Sequence, residues 1–119
     1  GLLYLNGKGV ETDYTKAKEL FEKGAGKDDD ECIYNLANLY FNGLGIEKNI
    51  TKAIHLYELS ALKNNPYAYL SLGFIYLKGN EVEQDIAKAF LYFQASARLG
   101  NETAKEMINK FSLIFNILN

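Results

Sequence analysis

The sequence repeats its own pattern every 36 residues, as the spacing of Tyr4, Tyr40 and Tyr76 shows. The same spacing relates four further sets: Gly7, Gly43 and Gly79; Lys16-Ala17, Lys52-Ala53 and Lys88-Ala89; Phe21, Tyr57 and Phe93; Ala25, Ala61 and Ala97. No insertion breaks the register. A fixed period of this length, combined with helical spacing of apolar residues, predicts a stack of similar helical units.

The second copy shows how one unit is built. Apolar residues recur at helical spacing over residues 31–42, which predicts a first helix, called helix A. Gly43 is predicted to end this helix, because glycine tolerates the left-handed backbone that often ends a helix. Asn49 is placed to cap a second helix, called helix B, over about residues 50–62. Pro66 then fits the first turn of the next helix.

These patterns predict an all-α fold, an α/α solenoid of antiparallel helix pairs that ends in a C-terminal capping helix. We expect one domain over residues 1–119, and its parts are a partial repeat at about 1–28, repeats at about 29–64 and 65–100, and a cap at about 101–119. Gly1 aligns with Ala37 and Gly73. The chain is therefore expected to start partway through a helix A, as a fragment or processed protein would.

Composition narrows the classes of function. The net charge is −2 with acids and bases interspersed, so no basic stripe for phosphates is present and we expect no nucleic-acid partner. The single cysteine, Cys32, cannot form an internal disulfide and is expected to be a small buried filler. No apolar run is long enough to span a membrane, and the compartment stays open.

No pattern of catalytic or cofactor-binding residues emerges. His55 is the only histidine, so the usual multi-histidine metal sites are excluded. The acidic run at residues 28–31 immediately precedes a helix A, where negative charge favours the helix dipole and supplies a cap. We therefore expect no catalytic residue, no metal and no cofactor, and a protein that is not an enzyme.

The repeated motif resembles the Sel1-like repeat, a relative of the tetratricopeptide solenoids. Its pattern is Tyr-x-x-Gly-x-Gly-Val, then an acidic residue, Lys-Ala, and an aromatic residue followed four positions later by alanine. The first copy supplies Tyr4, Gly7, Gly9, Val10, Asp13, Lys16-Ala17, Phe21 and Ala25, and the next two copies follow it in register. The resemblance covers essentially the whole chain.

The resemblance implies an adaptor or scaffold role in signalling or in contact between bacteria and hosts. The chain departs from the family in two ways. Glu81 replaces the second turn glycine, so the third loop is expected to take a different path. A cysteine-rich branch of the family carries a disulfide in each repeat and is linked to β-lactam binding, and that inference does not transfer to a chain with Cys32 alone.

Related helix-pair repeats bind partners on a concave wall formed by helix A residues that the core does not use. By register, this wall includes Leu2, Leu5 and Asn6 in the first copy. The predicted site for a protein or peptide partner in the other copies is Tyr34, Asn38, Phe41, Asn42, Tyr67, Leu70, Phe74 and Lys78. Large apolar and aromatic residues on an exposed wall are typical of interaction surfaces. The alternative is that some of them pack between repeats.

The C-terminal tail has more apolar residues than one helical stripe needs. Part of it should cover the end of the core. The rest could support self-association through Leu113, Phe115 and Leu118.

Two other functions are weighed against an adaptor. A small acidic repeat protein could be an inhibitor or immunity protein that sequesters a toxin or enzyme. A β-lactam-binding or hydrolysing protein is disfavoured, because the sequence lacks both the disulfide framework and a nucleophile–base pair.

Overall fold

The computed structural model describes the backbone of residues 7–44 and 46–118 and the side chains of residues 14–44 and 46–114. This part of the chain contains helices and no strand. The helices are α1 (Gly7–Gly26), α2 (Asp30–Asn42), α3 (Ile50–Leu62), α4 (Pro66–Lys78), α5 (Ile86–Arg98) and α6 (Glu102–Leu118). They belong to two compact units, Gly1–Ser60 and Ala61–Asn119, and each unit is described by itself.

Helix α1 differs from the sequence-based expectation. The motif predicted that Gly7 and Gly9 end a helix A, but the structure has one continuous helix from Gly7 to Gly26. Glycine adopts the right-handed as readily as the left-handed conformation. The cost of glycine in a helix is about 1 kcal/mol each relative to alanine, which a long helix can absorb.

In the first unit, α2 and α3 form the predicted pair. Asp29 caps α2 by accepting hydrogen bonds from the backbone N–H groups of Glu31 and Cys32, at 3.0 and 3.2 Å. Gly43 ends α2 with a φ of 68°, in the left-handed region. Asn49 caps α3 through the N–H of Lys52, at 3.0 Å. The sequence had predicted both the glycine and the asparagine cap.

Hydrogen bonds at both ends of the pair show that α2 and α3 are antiparallel. The hydroxyl of Ser60, near the end of α3, donates to the carbonyl of Asp30 at the start of α2 (2.8 Å). At the other end, the N–H of Asn49 donates to the carbonyl of Tyr40 (2.9 Å). Small residues at the interface, among them Ala53, are fully buried.

The second unit repeats these contacts in register. The hydroxyl of Ser96 donates to the carbonyl of Pro66 (2.7 Å), and the N–H of Asp85 donates to the carbonyl of Tyr76 (3.0 Å). Helices α4 and α5 are therefore also antiparallel. Asn65 caps α4, which has Pro66 in its first turn as predicted, and Asp85 caps α5.

The repeated lysine holds the same place in both pairs. The ammonium of Lys52 lies 4.7 Å from the centre of the Tyr40 ring, and that of Lys88 lies 4.5 Å from the Tyr76 ring. A cation over an aromatic face stabilises the contact between helices A and B. The repeated Lys-Ala pair is therefore part of the architecture.

The loops between paired helices are also alike. Gly79 has a φ of 66°, matching Gly43, and both loops close with the same hydrogen bond to a helix A tyrosine. Glu81 therefore leaves the length and the closure of the third loop unchanged. Gly45, the residue that Glu81 replaces in the repeat, lies outside the described residues.

Helix α6 packs on the second unit as the predicted cap. Ala104 is fully buried and Phe111 is nearly so, with its ring 5.5 Å from the ring of Phe90 in an edge-to-face contact. Lys105 and Asn109 on α6 are exposed. One apolar and one polar face are typical of a helix that closes a repeat array.

Candidate protein-binding faces

The eight predicted partner-binding residues fall into two sets, one in each unit. The α2 face consists of Tyr34, Asn38, Phe41 and Asn42, and the α4 face of Tyr67, Leu70, Phe74 and Lys78. Within each set the spacing of three or four residues places the side chains along one side of a helix. Leu2, Leu5 and Asn6, predicted for the first copy, lie outside the described residues.

The aromatic side chains of the α2 face are shared between core and surface. Tyr34 and Phe41 are half-buried, with ring centres 5.8 and 6.3 Å from the ring of Tyr57 on α3. Tyr57 itself is only 2% exposed. The two outer rings therefore support the α2–α3 core with one side and leave the other side accessible.

The polar side chains of the α2 face are held in place. The hydroxyl of Tyr57 donates a hydrogen bond to the Oδ1 atom of Asn38. The Nδ2 group of Asn42 donates to the backbone carbonyl of Asn38, one turn earlier in the helix, at 3.0 Å. Both amide groups are thereby oriented.

The α4 face also serves the core in part. Leu70 and Phe74 are half-buried and pack against the cluster of Ala89, Phe93 and Phe111. The Phe74 and Phe93 rings meet edge to face, with centres 5.1 Å apart. The sequence suggested these residues as surface anchors, and the structure gives them a packing role as well.

The two ends of the α4 face are exposed. Tyr67 in the first turn is 57% exposed although it is a large aromatic residue. Lys78 in the last turn is exposed, and its ammonium lies 5.9 Å from the centre of the Phe74 ring. The α4 face therefore presents an aromatic group and a cation, separated by half-buried apolar side chains.

Sequence reasoning missed the part that Tyr57 plays. The repeat indicates an aromatic residue at this position but does not indicate its contact with Asn38. One signal was present in the sequence, because Tyr57 has a hydroxyl where its counterpart Phe93 has none. A buried tyrosine hydroxyl usually finds a hydrogen-bond partner, and Asn38 is the partner here.

Cys32 is half-buried against α1. A Cβ atom added to Gly24 would lie 2.2 Å from its sulfur, so the glycine is what allows this close approach. Burial, assisted by the nearby carboxylate of Asp29, raises the pKa of the Cys32 thiol. At neutral pH the group is therefore a protonated thiol that fills space between two helices.

The described part of the chain shows neither a cluster of metal ligands nor a helix suited to a membrane. Among its side chains, no group of three or more histidine, cysteine or acidic residues is placed to hold a metal ion. None of its helices combines the length and the apolar character that crossing a membrane requires.

Comparison with known proteins connects this architecture to a family. The Sel1 repeat profile matches residues 1–29, 30–65 and 66–101. A Sel1 repeat protein from Oxalobacter formigenes is similar in structure, with a TM-score of 0.78 and 29% identity over 93% of this chain and 45% of its own. This chain thus spans less than half of that protein. A search of curated proteins found no match.

Two further solved structures are similar. One is a protective antigen of uropathogenic Escherichia coli with an SLR fold (TM-score 0.69, 26% identity, 76% of this chain and 20% of that one). The other is the cysteine-rich protein B of Helicobacter pylori (TM-score 0.73, 24% identity, 79% of this chain and 71% of that one), a likeness of fold alone. The sequence profile and the structures agree on an all-α solenoid fold class with a repeat of about 36 residues. The chain belongs to the Sel1 repeat family.

Proposed function

We propose that this protein is a protein–protein interaction module, an adaptor or scaffold, which contacts its partner through the α2 face and the α4 face. Sel1 repeats are in general scaffolds for protein interaction. The observation that carries the choice of face is the exposure of Tyr67, a large aromatic side chain left 57% in solvent at the start of α4. Tyrosine is enriched among the residues that dominate binding energy at interfaces.

The half-buried residues beside Tyr67 support the same choice. Leu70 and Phe74 are fixed by packing against the unit's core, so contact with a partner would cost them little conformational entropy. Lys78 adds a charge that can select for an acidic group on the partner. A rigid apolar strip between an aromatic group and a cation is well suited to a partner's loop or helix.

The test is a quantitative pull-down from a lysate of the source organism, read by mass spectrometry. The bait proteins are the wild type, Tyr67→Ala and, as matched control, Leu91→Ala, which removes a side chain that is 63% exposed on the helix B side. A specific partner should be lost from Tyr67→Ala and retained by Leu91→Ala. If all three proteins retained the partner equally, the proposal that the α4 face contacts it would be wrong.

A second surface could mediate self-association. Leu113 and Ile114 on α6 are adjacent and are 62% and 52% exposed. Phe115 and Leu118, the other residues predicted for this contact, have side chains outside the described residues. Sedimentation velocity over a range of protein concentrations tests it: the wild type should show a concentration-dependent dimer that Leu113→Ser abolishes. A wild type that sediments as a monomer at every concentration would exclude this contact.

A further inference from the structure

Helix α2 ends in a pair of residues, Asn42 and Gly43, that has a chemical reactivity of its own. Among the residues whose side chains the structure describes, Asn42 is the asparagine that directly precedes a glycine. In such a pair the main-chain nitrogen of the glycine can attack the side-chain carbonyl carbon of the asparagine, since glycine has no Cβ atom to obstruct the approach. The Asn42 side chain is exposed, so water, the second reactant, reaches it. The pair is therefore suited to spontaneous deamidation.

The reaction consumes water and needs no enzyme, cofactor or oxidant. First, a bond forms between the Gly43 nitrogen and the Cγ atom of Asn42 while the Cγ–Nδ2 bond breaks. The Nδ2 group leaves as ammonia with the proton of the Gly43 N–H, and a succinimide ring remains. Water then adds its hydroxyl to one of the two ring carbonyls and returns a proton to the ring nitrogen. Opening at Cγ gives aspartate, and opening at the main-chain carbonyl gives isoaspartate.

Hydrogen bonds in the last turn of α2 hold both reacting groups in place. The Nδ2 group of Asn42 donates to the carbonyl of Asn38, one turn earlier, at 3.0 Å. This bond draws the amide back along the helix, whereas the Gly43 nitrogen lies on the C-terminal side of Asn42. The Gly43 N–H donates to the carbonyl of Leu39, and the N–H of Leu44 donates to the same oxygen at 3.0 Å. The proton that must leave is therefore engaged as well, and the closed turn opposes the reaction.

The closed turn can open without unfolding of the rest of the helix, because helix ends open locally at low cost. Once the reaction has occurred, the new carboxylate cannot donate to the Asn38 carbonyl. Its charge lies at the negative end of the helix dipole, and the last turn of α2 contains no basic residue. Isoaspartate also adds a methylene group to the main chain, which displaces the N–H groups of Gly43 and Leu44 from Leu39. Both products therefore favour the open turn.

We infer that Asn42 is a deamidation site, that local opening of the last turn of α2 sets its rate, and that the reaction is a one-way change after which this turn is open more often. The inference goes beyond protein binding and does not depend on it. If the α2 face contacts a partner as proposed, the reaction also replaces a neutral amide of that face with a carboxylate. The equivalent residue in the second unit is Lys78, before Gly79, so the turn there has no such reaction.

The experiment follows the reaction in the full chain. The protein is incubated near neutral pH and digested with trypsin, which cleaves after Lys27 and Lys48 and releases residues 28–48. Mass spectrometry with fragmentation measures the gain in mass at Asn42 separately from Asn6, which also precedes a glycine and lies outside the described residues. Asn109, which is exposed and precedes lysine, should stay unmodified.

A synthetic peptide of residues 39–46 gives the rate of the reaction without the helix. The protein should react about tenfold more slowly than this peptide, because two hydrogen bonds must break first. Ser60→Ala separates local opening from unfolding of the whole unit, since it removes the hydrogen bond to Asp30 at the other end of the α2–α3 pair. Local opening predicts an unchanged rate in Ser60→Ala, whereas unfolding of the unit predicts a rate about fivefold higher.

Two variants at position 42 test the one-way change. Asn42→Asp reproduces one product, and Asn42→Lys places at this position the residue that the second unit already has before its turn glycine. Asn42→Lys should fold normally and should show no modification at this position. Hydrogen exchange of the Gly43 and Leu44 amides should be about fivefold faster in Asn42→Asp than in Asn42→Lys. Exchange of the Asn49 amide, which donates to Tyr40, should be the same in both variants.

Three results would overturn the inference. Absence of reaction at Asn42 after an incubation many times longer than the peptide needs would remove the site. A protein that reacts as fast as the peptide, or a faster rate in Ser60→Ala, would exclude control by the last turn. Equal exchange in Asn42→Asp and Asn42→Lys would exclude the one-way change. None of these results affects the proposed function, which the pull-down with Tyr67→Ala tests separately.

Discussion

At the scale of single residues, each repeat is closed by one residue with left-handed backbone. Asp28, Asn64 and Gly100 have φ values of 62°, 67° and 97° and are spaced by the repeat length. Asparagine and aspartate tolerate this conformation better than most residues, but glycine adopts it without a steric penalty. The three repeats therefore use, for the same turn, residues that differ in how well they tolerate a positive φ.

Asn64→Gly should stabilise the protein by about 0.5 kcal/mol. Glycine removes the steric strain of asparagine at positive φ, and this gain outweighs the greater freedom of glycine in the unfolded chain. Asn64→Ala should destabilise it by about 1 kcal/mol, since alanine disfavours positive φ. Denaturant unfolding of the three proteins measures both changes. A more stable alanine variant would mean that the turn at this position does not hold a positive φ in solution.

The Cys32 thiol gives a prediction about pH. Burial and the Asp29 carboxylate both disfavour the thiolate, which raises its pKa, so the rate of alkylation by iodoacetamide should rise with a midpoint at higher pH than for an unstructured cysteine peptide. Asp29→Asn removes the charge and keeps a good helix cap, so it should move the midpoint to lower pH. A midpoint at or below that of the peptide would contradict the assignment.

At the scale of helices, Gly73 sets how closely α4 approaches α5. A Cβ atom at this position would lie 2.7 Å from the Cε1 atom of Phe93, which is fully buried. The corresponding residue in the first unit, Ala37, is also fully buried. The second unit therefore has glycine where the first has alanine on helix A. On helix B it has Phe93 where the first unit has Tyr57.

Gly73→Ala should destabilise the protein by about 1–3 kcal/mol through overpacking, despite the better helix propensity of alanine. Gly26→Ala is the matched control, since its Cβ would have no atom within 4 Å, and it should be neutral or slightly stabilising. Thermal unfolding of both variants tests the contrast. Equal melting temperatures would show that α4 and α5 can separate at no cost.

Features that depend on local sequence were predictable from the repeat. Gly43, Asn49 and Asp85 hold the turn and cap positions expected of them, because backbone conformation and capping follow from residue type. The continuous helix through Gly7 was not predictable in this way. Glycine permits either conformation there, so residue type does not decide the outcome.

Side-chain partners in the binding faces were harder to predict. Phe74 was expected on an exposed wall, yet half of it packs on a core that includes Phe111 of α6, a contact that the 36-residue register does not reveal. The hydrogen bond between Tyr57 and Asn38 depends on rotamers and helix separation as well as on register. The sequence predicted which helix sides carry the candidate site, whereas the availability of each atom depends on the packing.

At the scale of the whole molecule, the described residues contain the same helix-pair design twice, with different surfaces. The first unit presents oriented amides, and the second presents Tyr67, an apolar strip and Lys78. Shared capping and interhelical hydrogen bonds maintain the fold, so the exposed positions of the A helices, such as Tyr67 and Lys78, can vary with little loss of stability.

Site-specific photocrosslinking can distinguish a partner that contacts the A helices, as proposed, from one that contacts the B helices. A benzophenone amino acid is placed at Tyr67 or, as control, at Leu91, both of which are more than half exposed, and the protein is irradiated in cells of the source organism. If partners contact the A helices, position 67 should give a discrete crosslinked partner and position 91 should give none. The same partner from position 91 alone would contradict it and would move the binding surface to the B helices.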